Sequence, residues 1–148
     1  PTGKPYPPPP KLVCKASMCN STANVGLKQG QLLNWTYVAK NDIGAMMVAV
    51  SQGPVSITVN AGPMANYRGG VMSGQCNPYG YGDHAVLVVG YGHDNATGLD
   101  YWKIKNSYGT QFGENGYIRV KRNDSLCNGA GELGMLQAGL YPTVVANR

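Results

Sequence analysis

The chain has little charge and no long apolar run. Only 13% of its 148 residues are Asp, Glu, Lys or Arg, and it has one Phe against ten Tyr. No apolar stretch approaches the roughly 20 residues that cross a bilayer as a helix, so we expect no membrane span. The N-terminus also lacks the apolar core of a signal peptide. It begins Pro1-Thr2-Gly3-Lys4 and continues into prolines, which is typical of a linker or a cut end.

Several kinds of functional site are missing from the sequence. There is no phosphate-binding loop, no paired-carboxylate site and no internal repeat. Cys14 and Cys19 are close together, but no second Cys pair or His pair follows at the spacing of a zinc site. We therefore expect neither a metal nor a cofactor.

The positive charge is scattered along the chain. Twelve Lys and Arg against seven Asp and Glu give a formal net charge of +5. The one cluster is Arg119, Lys121 and Arg122, on an alternating strand where a solvated face is the simplest interpretation. Nucleic-acid binding normally needs a basic patch or stripe, so no nucleic-acid partner is expected.

The residues that are abundant favour turns and strands. With 21 Gly, 10 Pro and 10 Tyr, the composition is that of a β-rich protein with few long surface helices. The length suits one domain with a real core. We predict a Pro-rich, Cys-containing segment over residues 1–24 and one β-rich domain over residues 25–148.

Cysteines and glycosylation sequons together indicate the secretory pathway. The chain has four Cys, and an even number suits disulfide pairing. It also has four Asn-X-Ser/Thr acceptor sites, each a candidate for an N-linked glycan; they begin at Asn20, Asn34, Asn95 and Asn123.

The first half of the predicted domain has readable local signals. We predict a strand over 33–38 and a strand over 54–60, whose alternation turns Val55, Ile57 and Val59 to the core. Between them, a helix over 43–50 is capped by Asn41 or Asp42 and stopped by Gly53-Pro54. Residues 62–82 are rich in turns and too long for a hairpin loop.

Two apolar runs in the second half each have a chemically capable residue at one end. His84 precedes 85–89, which is continuously apolar as in a strand buried on both faces. Asn106 follows the strand predicted over 101–105. If the runs pair antiparallel, His84 and Asn106 lie at the same edge of the sheet. An imidazole oriented by a side-chain amide is half of a nucleophilic catalytic apparatus.

Eight motifs in a single order identify a family resemblance. They are Tyr6-Pro7, Gln52-Gly53-Pro54-Val55-Ser56, Tyr67-Arg68-Gly69-Gly70-Val71, Asp83-His84-Ala85-Val86, Val89-Gly90-Tyr91-Gly92, Tyr101-Trp102-Lys103-Ile104-Lys105-Asn106-Ser107, Gly113-Glu114-Asn115-Gly116-Tyr117 and Tyr141-Pro142. The chain resembles the C-terminal half of a papain-like cysteine peptidase. The resemblance implies a mainly β fold, an antiparallel β-barrel-like domain with a short helix, which is the C-terminal (right-hand) domain of a papain-like α+β fold.

The resemblance also implies roles for single residues. His84 matches the catalytic histidine and Asn106 the residue that orients it, while Asp83 is expected to be an acid near the cleft rim. The substrate pocket would be lined by four further residues: Thr58, Gly82, Ala85 and Ala138. Cys76 and Cys127 match the family's barrel-side disulfide, and Cys14 a cysteine that pairs with the other domain. That leaves Cys14 and Cys19 to pair with each other or with an absent segment.

The sequence departs from the family pattern at its nucleophile. The family signature Cys-Gly-[Ser/Ala]-Cys-[Trp/Tyr] stands about 130 to 150 residues before the His and Asn. It is absent from this sequence, where 83 residues precede His84. Tyr108 stands where the family usually has Trp and is expected to shield the His-Asn bond, and Phe112 replaces a second customary Trp.

Two functional hypotheses follow. The first is the His/Asn-bearing half of a secreted or lysosomal/vacuolar cysteine endopeptidase, inactive alone, whose partners are a Cys-bearing N-terminal half and a peptide or protein substrate. The second is a glycosylated extracellular structural or binding module that reuses the fold without catalysis. A partner with a Cys-Gly-Ser-Cys-Trp-like segment in the intact source protein would favour the first.

Overall fold

A computed structural model describes residues 27–28, 30–76, 82–123 and 126–145. Its regular elements, in chain order, are β1 (Leu32–Tyr37), α1 (Ile43–Gln52), β2 (Val55–Val59), β3 (Val71–Met72), β4 (His84–Asp94), β5 (Leu99–Lys105), β6 (Tyr117–Lys121) and β7 (Gly139–Val144). Short 3-10 turns cover Gly62–Asn66 and Glu132–Gly134. The predicted N-terminal segment 1–24, with Cys14, Cys19 and Asn20, lies outside the described residues.

The seven strands found among the described residues belong to one sheet. Their order across the sheet is β1-β7-β2-β4-β5-β6-β3, and every neighbouring pair is antiparallel except β3 and β6, which are parallel. Strand β3 lies in the stretch that the sequence predicted as a turn-rich loop. The predicted mainly β, barrel-like fold with one short helix is confirmed.

Helix α1 follows its local signals. Asp42, one of the two candidate caps, accepts a hydrogen bond from the Ala45 amide at 2.8 Å, which satisfies one of the free N–H groups of the first turn. The helix ends at Gln52, directly before the predicted Gly53-Pro54 stop. Met46, Ala49 and Val50 form its buried face, so the helix is held by packing on the sheet.

The core lies against one face of the sheet. Val55, Ile57 and Val59 of β2 are buried while the residues between them are half-buried, as the alternation predicted. The largest buried side chains around them are Trp102, Met46, Met64, Ile104, Ile118, Leu133 and Met135.

Strand β4 differs from the prediction for residues 85–89. Val86 and Val88 are buried, but Ala85 is exposed and Leu87 and Val89 are half-buried. The strand therefore buries one face only, because the described chain places no layer over the other. A β-bulge shifts the β4–β5 register between Val88 and Gly90.

Two members of the predicted basic cluster, Arg119 in β6 and Arg122 directly after it, do not belong to a solvated face. Arg119 pairs with Glu114 and Asp94, and Arg122 pairs with Asp100 at 2.8 Å. Arg122 also lies over the rings of Tyr91 and Trp102. For these two arginines the solvated-face interpretation was wrong, because the fold brings Asp94 and Asp100 to them across more than 20 positions and the loop before β6 adds Glu114.

Within the described ranges, no helix is long and apolar enough to cross a membrane.

Candidate active site

The antiparallel pairing of β4 and β5 places His84 beside Asn106. In this register Leu87 faces Lys105, so the start of β4 and the residue after β5 reach the same edge of the sheet. Asn106 is the first residue of the loop between β5 and β6, and its backbone amide donates to the Gly116 carbonyl at 2.9 Å. This bond fixes the start of the loop. The two apolar runs thus position the two polar residues at their ends.

A hydrogen bond joins the two side chains. The distance from His84 Nε2 to Asn106 Oδ1 is 2.8 Å, and Oδ1 also accepts from the Ser107 amide at 2.8 Å. Because an amide oxygen only accepts, Nε2 must carry the proton. Nδ1 is then the basic nitrogen, and it has no hydrogen-bond partner among the described residues. Asn106 is 8% exposed, so this bond is protected from water.

An aromatic ring covers the imidazole. Tyr108 stacks on His84 with ring centroids 5.0 Å apart and planes inclined by 27°. Tyr108 itself is 49% exposed. The ring occupies the place predicted for a shielding aromatic residue, and it leaves part of its own surface open to solvent.

Asp83 makes backbone contacts at this end of β4. Its Oδ1 accepts from the Ala61 amide at 2.8 Å, and its own amide donates to the Val59 carbonyl at 3.0 Å. These bonds tie the entry of β4 to the end of β2. The carboxylate is therefore used to hold the strand end where His84 begins.

The predicted pocket residues lie together around Thr58. Thr58 faces Ala85 in the β2–β4 register, and a Cβ added to Gly82 would come 2.5 Å from the Thr58 Cβ. The register that pairs Ile57 with Gly139, continued by one residue, places Ala138 next to Thr58. All four predicted residues thus occupy one corner beside His84.

A shallow depression of about 340 Å³ adjoins this corner. It is lined by Ser56, Ala85, Val86, Leu87, Lys105, Asn106 and Ser107. Sequence reasoning did not single out Ser56, Leu87 or Lys105. The period-two alternation of β2 does place Ser56 on the same outward face as Thr58, but it assigns Ser56 no role.

The predicted disulfide between Cys76 and Cys127 is confirmed, with Cα atoms 5.5 Å apart. Next to it, the buried Glu132 accepts hydrogen bonds from the amides of Gly74 and Gln75, both at 2.8 Å. Sequence reasoning missed Glu132, since its partners lie almost 60 positions away. Together the disulfide and this carboxylate join the segment before β4 to the segment before β7.

Other predicted positions lie away from the site. Asn34 is in β1, Asn95 is exposed in the β4–β5 turn, and Asn123 follows β6. His93 belongs to β4, and its Nδ1 lies 2.8 Å from Asp100 Oδ1. In the part of the chain that the structure describes, no three His, Cys, Asp or Glu residues cluster as metal ligands.

Comparison with known proteins agrees with this geometry. The sequence profile of the family described as "Papain family cysteine protease" matches residues 2–138. Fruit bromelain of Ananas comosus is 37% identical over 127 residues, covering 85% of this chain and 34% of that protein. Oryzain beta chain of Oryza sativa is 41% identical over 108 residues, covering 72% of this chain and 22% of that protein.

Solved structures give the same result. The bromelain protease from Ananas comosus, in complex with an inhibitor, has a TM-score of 0.70 at 37% identity, covering 77% of this chain and 51% of that one. A cysteine protease from Carica candamarcensis has a TM-score of 0.67 at 39% identity, covering 78% of this chain and 50% of that one. The chain therefore spans about a third of the first curated relative and half of these solved chains. On this evidence the chain belongs to the papain family of cysteine proteases.

Proposed function

We propose that this chain supplies the His/Asn side of a cysteine peptidase and that the nucleophilic cysteine comes from another segment or chain. The observation that carries the proposal is the 2.8 Å bond from His84 Nε2 to Asn106 Oδ1. It fixes the tautomer and leaves Nδ1 for a partner outside the described residues. None of the four cysteines in the sequence stands in the family's nucleophile context.

The chemistry follows from that arrangement. A cysteine thiol placed at Nδ1 would give its proton to His84 and become the thiolate nucleophile. The thiolate attacks the peptide carbonyl carbon, the C–N bond breaks, and Nδ1–H protonates the departing amine. Water then attacks the thioester while His84 takes its proton, and the thiol leaves. Asn106 keeps the ring oriented throughout.

The exposed face of β4 and β5 would receive the nucleophile-bearing half. This face contains the exposed Ala85, the half-buried Leu87 and the exposed Lys105, beside the depression described above. Apolar surface left open next to a reactive histidine suits an interface. The chain alone would lack the second cleft wall and would not hydrolyse peptides.

Substrate would bind at the corner around Thr58. Gly82, Ala85 and Ala138 offer little side-chain bulk there, and Thr58 offers a hydroxyl. These residues would contact the substrate side chain second from the scissile bond, with Asp83 at the rim. Tyr108 would shield the His84–Asn106 bond from water when substrate enters.

The remaining sequence predictions complete the proposal. The enzyme would be a secreted or vacuolar glycoprotein with glycans among the four sequons, and residues 1–24 would form a segment outside the domain of residues 25–148. Cys14 and Cys19 would pair with each other or with the partner half.

Reconstitution tests the proposal. The chain would be expressed with a papain-family N-terminal half bearing the Cys-Gly-Ser-Cys-Trp segment, and peptide hydrolysis would be measured. We expect activity and labelling by an active-site-directed thiol reagent only in the complex. The matched control is a partner half with its nucleophilic Cys changed to Ala.

Labelling of the 148-residue chain alone by that reagent would contradict the claim that this chain lacks the nucleophilic cysteine. A complex that forms but neither hydrolyses peptides nor reacts would favour the non-catalytic module. Non-reducing peptide mapping of the source protein would add an independent check, because it would identify a partner bearing the nucleophile segment.

A further inference from the structure

The loop of residues 106–116, between β5 and β6, carries two side chains that contact the His84 ring. Asn106 begins the loop and bonds the imidazole, and Tyr108 stacks on it. The loop residues from Ser107 to Gln111 are exposed, so core packing does not hold Tyr108 over the histidine. Other contacts must fix its place.

A row of rings connects Tyr108 to the core. The Tyr108 ring meets Phe112 edge-on, with centroids 5.3 Å apart at 85°. Phe112 contacts Tyr67 at 6.1 Å and 39°. Tyr67 is buried, and its hydroxyl donates to the Gly70 carbonyl at 2.7 Å and accepts from the Arg119 amide at 3.2 Å. Phe112 is therefore the contact that links an exposed ring to an anchored one.

Glu114 fastens the same loop to β6 and to the segment before β3. Its carboxylate accepts from Arg119 Nε at 2.9 Å and Nη2 at 2.8 Å, and from the Gly70 amide at 2.9 Å. Such a bidentate pair fixes geometry as well as adding energy. Arg119 is held in turn by Asp94 of β4 and lies over the Tyr101 ring of β5.

The space around Phe112 and Glu114 allows little movement. A Cβ on Gly113 would come 2.7 Å from the Tyr67 ring and 2.6 Å from the Tyr117 carbonyl. The hydrogen bond from Arg119 also holds the pKa of Glu114 below its ordinary value, so the pair stays charged at neutral pH. These contacts restrain the part of the loop from Phe112 to Glu114.

We propose that Glu114, through its pair with Arg119, is a positioning residue for the histidine site. It fixes the loop that presents Phe112 and hence Tyr108, and so keeps the His84 imidazole in the plane in which Nε2 meets Asn106. The catalytic consequence rests on the proposed function, but the geometric claim concerns residues of this chain alone.

NMR of the 148-residue chain, labelled with ¹³C and ¹⁵N in histidine, tests the geometry. In the unmodified chain we expect His84 ring protons shifted upfield by the Tyr108 ring and nitrogen shifts of a single Nε2–H tautomer. In Glu114→Gln, which keeps the size but loses the charge, the upfield shift should diminish and the nitrogen shifts should indicate mixed tautomers. The His93 signals should not change.

Asp100→Asn is the matched control, because it removes the carboxylate of the other ion pair on the same strands. It should alter His93 and leave His84 unchanged. Phe112→Leu interrupts the row of rings without touching the ion pair, and it should reproduce the effect of Glu114→Gln on His84. If Glu114→Gln fails to fold, Arg119→Lys tests the same link, because it keeps the positive charge but cannot form the bidentate pair, and it should change the His84 signals in the same way.

Unchanged His84 signals in folded variants would overturn the proposal, even if the thermal midpoint falls. In the reconstituted enzyme, Glu114→Gln should lower kcat roughly 10-fold to 100-fold and change KM little. A misplacement of about 1 Å can lower the rate by 10²-fold. If the unmodified complex is inactive, the proposed function fails, while the NMR result still decides the positioning role.

Discussion

The two ends of the β4–β5 hairpin each join a histidine to a polar side chain at 2.8 Å, yet the ends differ in kind. At one end His84 meets a neutral amide that is 8% exposed. At the other, His93 meets the carboxylate of Asp100, and both side chains are about half exposed. The distance alone therefore does not distinguish the proposed catalytic histidine from His93.

The partner of each bond explains the difference. An amide oxygen orients the His84 ring without adding charge and leaves Nδ1 free for chemistry. Asp100 is shared with Arg122, which itself covers Tyr91 and Trp102. The His93 end is thus part of a surface ion pair that holds the hairpin, and such pairs contribute little to stability.

The largest expected effect separates the two histidines directly. In the reconstituted enzyme, His84→Ala should lower kcat by on the order of 10²- to 10⁴-fold, the usual contribution of a general acid–base group. His93→Ala should leave kcat and KM unchanged. Steady-state kinetics of the two variants checks this prediction. Equal losses of kcat in both variants would show that the two histidines do not differ in function.

Removing the orienting amide should come next. Asn106→Ala leaves His84 Nε2 without its acceptor, so the ring can rotate and exchange tautomers, and we expect kcat to fall by roughly 10²-fold. Asp100→Asn, at the other end, should have no kinetic effect. Loss of activity in Asp100→Asn would show that the two ends are coupled.

A smaller effect concerns packing at the two ends. Gly82→Ala places a Cβ within 2.7 Å of the Thr58 and Val59 backbone, and we expect a loss of about 3 kcal/mol, the upper end of the usual overpacking cost. Gly98→Ala, in the hairpin turn, meets no atom within 4 Å but has a φ of +69°. Its cost should be about 1 kcal/mol. Denaturant unfolding of both variants measures the difference.

The smallest effect is the pH dependence of the ion-pair end. The hydrogen bond from His93, followed by that from Arg122, lowers the pKa of Asp100 from its ordinary value of 3.8. A carboxylate with a lowered folded-state pKa stabilises the fold above the ordinary value and loses that contribution as pH falls through the folded one. Thermal midpoints should therefore decline below about pH 3.8, and less steeply in Asp100→Asn. If the thermal midpoint falls equally steeply with pH in the unmodified chain and in Asp100→Asn, Asp100 is not the group responsible.

The structural features that depend on a local sequence pattern could be predicted from the sequence. The alternation in β2 and a helix cap at Asn41 or Asp42 follow from residues close together, and the meeting of His84 with Asn106 follows if the two apolar runs pair antiparallel, as they do. The disulfide followed from family resemblance. In each case the signal lay in neighbouring residues or in a known motif.

Features that depend on distant contacts were not predictable. The parallel pairing joins β6, an alternating strand, to the two-residue β3, which carries no strand signal of its own. Arg119 meets Asp94 across 25 positions, and Glu132 meets Gly74 across 58. The half-open face of β4 also escaped prediction, because an apolar run does not show whether a second layer covers it.

The bulge between Val88 and Gly90 changes the β4–β5 register in mid-strand, between the His84 end and the tip of the hairpin. A bulge bends its strand and increases the local twist, so the two ends of the hairpin do not share one continuous register. The turn at Asn95 and Ala96 is exposed at the end opposite His84. A fluorescent label attached to a side chain of this turn, with no residue inserted, would report on the domain from outside the cleft.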